Sequence, residues 1–365
     1  MLLGAALLSV QLSGAASAQG APAPTFDHAG LARQALERHI LPGYERLADA
    51  TRTLDRAMAT HCRETSAQSR KAVDDAFDAV VTAWGRIEHI AFGPIARSER
   101  LERIMFWPDR RGIGARQVAN ALSKRDPDVL DASRLATKSV AMQGLPTLDT
   151  LLFAENDTTD PEALRHRCGF AAAVAANLAQ TATTVLAEWS GPKGFSSIWL
   201  TPGPANAQFL KPSETTLALA KAFDQGLEKV RDQRLAGPLG LTAQRRKLPA
   251  PLSKSDRTMR LVQANLEGLQ ELYDEAGIHR AIAAAGRDDP GAGAEALAQL
   301  VTNELATAQA SLTAVAGIRS PFNDDRAVQR IIAIGFPLKN ARTTAASLLA
   351  GAAGLPIGFN ASDGD

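Results

Sequence analysis

Apolar residues recur along this chain at the three-to-four-residue spacing of amphipathic helices and almost nowhere in the alternation a strand requires. Ala and Leu are abundant, whereas runs of Val, Ile, Thr and Tyr that would build a sheet are scarce. Starts and stops are legible. Asp126-Pro127 and Asp160-Pro161 each set an acidic N-cap before a proline suited to a first turn, and Gly191-Pro192, Gly237-Pro238 and Gly277 close helices. The pattern predicts helices near 27–59, kinked at Pro42, and near 67–92, 114–123, 127–142, 146–153, 161–189, 214–236, 255–276, 292–316 and 323–350. The stretch 190–213 holds too many Gly and Pro for a long helix and reads as a linker, and 240–254 reads as a second loop. Long helices on short connections pack as antiparallel neighbours. The expected fold class is therefore all-α, two helical-bundle domains of roughly four long helices each, over residues 26–189 and 214–365.

Two acids break this pattern. Val73, Phe77, Val80, Val81, Trp84, Ile87 and Ala91 share one stripe, and Glu88 falls near its middle. On a helix starting at Pro146, Asp149 lies between the angular positions of Leu152 and Phe153. A buried charge without a partner costs several kcal/mol or neutralises itself. Each acid thus implies a facing Arg, a metal or a ligand donor, and two acids in one cavity can hold a cation together. Trp107-Pro108 ends any regular helix, so Asp109, Arg110 and Arg111 sit on a loop, and either Arg suits Glu88. Arg260, a cation in an early helical turn where the dipole disfavours it, is a candidate cross-domain partner. His89 lies about 100° around from Glu88 and would contribute only from the rim, since adjacent residues do not chelate one metal as an i, i+4 pair does.

Composition narrows the function. The 365 residues suffice for a sizeable core, and 40 basic against 39 acidic side chains, with no long basic run, argue against a general nucleic-acid binder. An apolar run too short for a membrane span leads to Ala16-Ser17-Ala18, which reads as a signal peptide over residues 1–18. Past residue 25, charges are expected to interrupt every long apolar stretch, leaving no transmembrane segment after cleavage and a soluble protein, periplasmic or secreted. Cys62 and Cys168, the two cysteines, are expected to be bonded in an oxidising compartment. His-Glu-x-x-His, Gly-x-Ser-x-Gly, Walker and Cys-x-x-Cys motifs are absent. His61-Cys-Arg-Glu64 reads as a turn beside the disulfide rather than as a metal site.

Over nearly the whole chain the sequence resembles the imelysin-like family, exported two-domain all-helical proteins associated with iron uptake, some of them assigned as peptidases. The resemblance rests on Pro42-Gly-Tyr44, Trp84 to Pro94, Phe106-Trp-Pro-Asp109, Gln143-Gly-Leu-Pro146, Leu151-Leu-Phe153, Arg167-Cys168, Ala264-Asn-Leu-Glu-Gly268 and Gly358-Phe-Asn-Ala-Ser-Asp-Gly-Asp365. The family's Gly-x-His-x-x-Glu motif reads here Gly144-Leu-Pro-Thr-Leu-Asp149, with Pro146 in place of the histidine. A proline neither binds a metal nor moves a proton. The resemblance therefore implies a non-catalytic binding protein for iron, another divalent cation, an iron carrier or an envelope iron-uptake partner. Its cleft would involve Glu88, His89, Trp107, Asp109, Arg110, Gly144, Pro146, Asp149, Arg260 and Asp363, with any metal on Glu88 and Asp149. A metallopeptidase and a structural or partner-binding module stand as alternatives.

Overall fold

The computed structural model describes residues 26–242, 247–285 and 293–355. The expected leader and cleavage site, and the C-terminal acids with Asp363 among them, lie outside the described residues. Among those described, every regular element is helical: α1 His28–Ala35, α2 Leu41–Arg63, α3 Ala67–Ile87, α4 Arg100–Ile104, α5 Ile113–Ser123, α6 Ala132–Leu135, α7 Gly144–Phe153, α8 Pro161–Ser190, α9 Phe195–Leu200, α10 Pro212–Glu228, α11 Gly237–Leu239, α12 Thr258–Gln270, α13 Ile278–Ala285, α14 Ala294–Thr313 and α15 Asp325–Ala353. Wide π turns continue three of them, at Leu36–Ile40, Lys229–Ala236 and Glu271–Glu275.

Local chemistry explains most boundaries. Asp160 accepts the Glu162 amide in front of Pro161, the acid-proline start expected for α8. Ser66 and Ser69 form a reciprocal capping box at the start of α3. The first helix bends where expected. Pro42 lacks an amide hydrogen and crowds the carbonyl one turn back, and the π turn Leu36–Ile40 lies immediately before it.

Two expected helix bounds need correction. The stretch 127–142 is not one helix but the short turns Pro127–Leu130, α6 and Val140–Met142, because Asp131 and Ser139 each cap a new start. The third helix stops at Ile87 rather than 92, so Glu88 is its C-cap. The stretch 190–213 contains α9, and Trp199 on it is fully buried with its indole donating to the Ala32 carbonyl at 2.8 Å.

Buried apolar side chains run as one cluster through the described chain. α2 packs lengthwise against α3 and α8, α14 against α15, and α3 against α12. The last contact is very close: a Cβ on Gly268 would meet the Arg86 carbonyl oxygen at 2.1 Å. Helix α8 is long and apolar enough to cross a membrane, since Cys168 to Ala187 carries no charge, contrary to the expected interruption. Its place in the structure is a core: Phe170, Val174, Val185 and Trp189 are fully buried, and Asn177 donates to the buried Gln143 at 2.8 Å. Cys62, in the last turn of α2, is bonded to Cys168 on α8, with Cα atoms 5.6 Å apart.

Candidate functional site

The altered motif builds one wall of a cleft. Gly144 begins α7 with φ +69°, and a Cβ there would sit 2.3 Å from the Ile104 oxygen, so the motif glycine serves backbone packing. The carbonyls at the far end of α7 are capped by arginines: Arg167 donates to Thr150, Leu151 and Ala154, and Arg70 to Leu152. Between α7, the loop after α4 and the segment Pro249–Lys254 lies a cavity of about 210 Å³, lined among others by Phe106, Trp107, Asp109, Pro146 and Asp149. Its walls are largely aromatic, proline and small residues.

Both acids in this cavity are already engaged. Asp109 accepts the amides of Ile113 at 2.9 Å and Gly114 at 2.8 Å, which fixes the start of α5. Asp149 accepts the amides of Lys254 at 3.0 Å and Ser255 at 2.9 Å, pinning the opposite wall. Burial pushes the Asp149 carboxyl above its ordinary range, opposed by these bonds and by the Arg257 charge. Asp149→Asn leaves one oxygen and turns an amide group toward a backbone N–H. It is expected to cost about 1–3 kcal/mol and to speed proteolysis at 249–255, read by urea unfolding and limited digestion; unchanged digestion would show that the segment is held by other contacts.

Glu88 lies outside this cavity, in a buried network of its own. Arg234, with no exposed surface, donates to its carboxylate at 2.8 Å, and Lys229 does so at 3.3 Å. Asn265 donates to Glu88 at 3.3 Å and to the Gly85 carbonyl at 2.8 Å, and accepts from Arg234. Burial alone would raise the Glu88 carboxyl, yet the Arg234 and Lys229 charges and these hydrogen bonds outweigh it and hold it at about 2. Trp107 stands between network and cleft: the Arg234 guanidinium lies 5.7 Å from its ring centre, and its indole donates to Pro249 at 3.0 Å. Beside this network Glu271 receives Arg86 and, at 3.2 Å, Arg46.

Of the residues named from sequence, Trp107, Asp109, Pro146 and Asp149 line one cavity, whereas Glu88, His89, Arg110, Gly144 and Arg260 do not. Glu88 takes Arg234 and Lys229 rather than Arg110 or Arg111, because the wide turn Lys229–Ala236 delivers both cations to the end of α3. Arg260 does reach across to the first half, but to Asp78 on α3 at 3.3 Å, where Arg257 joins it. His61 faces Ser69 at 2.8 Å. The cation proposed on Glu88 and Asp149 is not supported: the two acids have separate partner sets, and no group of three or more His, Cys, Asp or Glu among the described residues is arranged to hold an ion. A hydrolytic metal needs such a donor set and a base beside it. With Pro146 offering no donor and no third His, Cys, Asp or Glu beside Asp109 and Asp149 in the cavity lining, these residues do not fit one. Sequence reasoning missed His39, Lys229, Arg234, Asn265 and Glu271. Arg234 and Asn265 carried a readable signal, since Phe223, Leu227, Val230 and Arg234 fall on one helical stripe and Asn265 shares another with Leu261, Val262 and Leu269.

The fold has solved counterparts. An imelysin-like protein from Psychrobacter arcticum 273-4 superposes with a TM-score of 0.73 at 21% identity, over 91% of this chain and 97% of that one. A putative iron-regulated protein A precursor from Parabacteroides distasonis ATCC 8503 gives 0.70 at 12% identity, over 90% and 97%. No curated protein sequence matches significantly. The imelysin family model matches residues 40–346, a span that includes the cleft wall, the Glu88 network and the altered motif, and the chain therefore belongs to the imelysin family.

Proposed function

We propose that this protein is an exported binding member of its family, released from its leader after Ala18, that serves iron acquisition by holding an iron carrier or a partner segment in the cleft under Trp107. The observation that carries this reading is the chemistry of the cleft. It offers an aromatic and proline-rich surface over about 210 Å³, while Asp109 and Asp149 spend their oxygens on backbone amides. Such a surface suits the organic envelope of a carrier better than a bare ion, which would need free oxygen donors. Iron enters through the family resemblance and through the iron-regulated precursor of similar fold. A second reading, a partner-binding module without small ligand, is favoured by the internal neutralisation of Glu88 by Arg234.

Tryptophan fluorescence during titration with ferric citrate and with a ferric trihydroxamate tests the proposal, because Trp84, Trp189 and Trp199 are fully buried and Trp107 is the tryptophan that lines the cleft. Saturable quenching by one chelate is expected, and Trp107→Ala should weaken it at least about tenfold, as loss of an aromatic anchor does. Absence of saturation with either chelate would overturn the carrier reading. Metal-dependent cleavage of casein by the same preparation would revive the peptidase.

A further inference from the structure

Two histidines meet head-on in the interior. His39 sits in the π turn Leu36–Ile40, and His89 lies two residues beyond the end of α3. Their Nε2 atoms are 2.8 Å apart, the ring centres 4.9 Å apart and the planes inclined by 23°. That arrangement is close to in-line, which suits a single N–H···N hydrogen bond. It does not suit two lone pairs converging on one tetrahedral ion. Both rings are enclosed, His39 completely and His89 to within 7% of its surface, and a Cβ on Gly226 of α10 would lie 3.0 Å from the His89 Cβ.

We propose that the His39–His89 pair is an acid-sensitive latch within the first part of the chain, tying the turn Leu36–Ile40 to the end of α3, closed while the two rings share one N–H and forced open when both carry a second proton. The reason is geometric. One neutral ring donates through Nε2–H and the other accepts; one added proton, taken at the donor ring's bare Nδ1, leaves that hydrogen bond in place. Two added protons put N–H groups face to face at a distance where neither finds a lone pair.

The surroundings do not relieve that charge. Arg46 from α2 and Arg86 from α3 are already held by Glu271, whose Oε2 lies 3.7 Å from His39 Nδ1. Lys229 and Arg234, from the turn after α10, are held by Glu88. Glu275, the remaining acid that acts on His39, is exposed and screened by solvent. Burial accordingly holds both rings below the ordinary histidine range, against the pull of Glu271 at His39 and with the added repulsion of His39 and Lys229 at His89. The sign follows. A histidine kept neutral in the fold leaves stability intact above its unfolded value of 6.5 and loses it as pH falls below that, because only the unfolded chain takes the proton. The unfolded pair binds two protons and the folded pair at most one, so at least one proton is taken up on unfolding. Each pH unit below about 6 should then raise the unfolding equilibrium constant at least about tenfold on account of this pair.

The test is urea unfolding between pH 7.5 and 5.0 of the full chain and of the double variant His39→Gln/His89→Gln, whose amides approximate the Nε2 positions and do not titrate. His28 and His61 are also lowered by burial, and the comparison cancels their contribution. The variant should lose at least about tenfold less per pH unit than wild type; equal slopes overturn the latch. Should the variant not fold, ¹⁵N imidazole shifts of the wild type decide. One Nε2 protonated and its partner bare at pH 7, with no second uptake before the fold opens, is expected. Two rings titrating independently near pH 6.5 in the folded protein would overturn the proposal.

Discussion

Glu88→Gln is expected to destabilise the protein by about 3–5 kcal/mol, the cost of leaving a buried charge without its partner. Arg234 has no exposed surface and cannot follow its charge to solvent, and Asn265, its other partner, is neutral. Lys229 is one-third exposed and can swing outward, so the loss falls chiefly on Arg234. Arg234→Met should cost less, because Lys229 still reaches Glu88 at 3.3 Å. The double variant should recover much of the difference, since a neutral amide beside an apolar side chain leaves no stranded charge at either position. Urea unfolding of the four proteins closes the cycle. A coupling energy below about 0.5 kcal/mol would show the pair to be energetically independent. The same network predicts an acid limb: a carboxyl held at about 2 in the fold against an ordinary 4.5 contributes stability that is complete above pH 4.5 and lost as pH falls toward 2. That window lies below the one governed by the histidines, so the two effects separate on one pH series.

Removing the disulfide is expected to cost about 4 kcal/mol, in line with a closed loop of this length. The bond joins residues 106 positions apart and spans everything from the end of α2 to the first turns of α8. α3 and α7 both fall inside this loop, so the crosslink limits the unfolded freedom of the helices that carry Glu88 and Asp149. Urea midpoints of Cys62→Ser/Cys168→Ser and of wild type under a reducing agent should fall together. A loss under about 1 kcal/mol would mean that the lengthwise packing of α2 on α8 alone fixes their register.

The helices were legible because their signals are local. An acid before a proline, a glycine after a periodic run and the 3.6-residue stripe act within one or two turns, and they located α5, α8, α14 and α15 to within a few residues. The stretch 127–142 misled because Asp131 and Ser139 bond their own backbone, a competition that periodicity does not register. Pairing of the two cysteines was likewise readable, since only one partner was on offer.

The sequence by itself determined that Glu88 and Asp149 could not stand alone, because an acid on an apolar stripe must be answered wherever the chain folds. What answers them was decided by the tertiary structure. Glu88 meets Arg234 from 146 positions away, and Asp149 meets two backbone amides 105 and 106 positions away, which no side-chain pattern announces. The wide turns at Leu36–Ile40, Lys229–Ala236 and Glu271–Glu275 are the clearest case. A π turn has little intrinsic favour and persists only when the contacts it makes elsewhere stabilise it. These three carry His39, Lys229, Arg234 and Glu271, so the residues that neutralise the interior are presented by local geometry that only the assembled helices make stable.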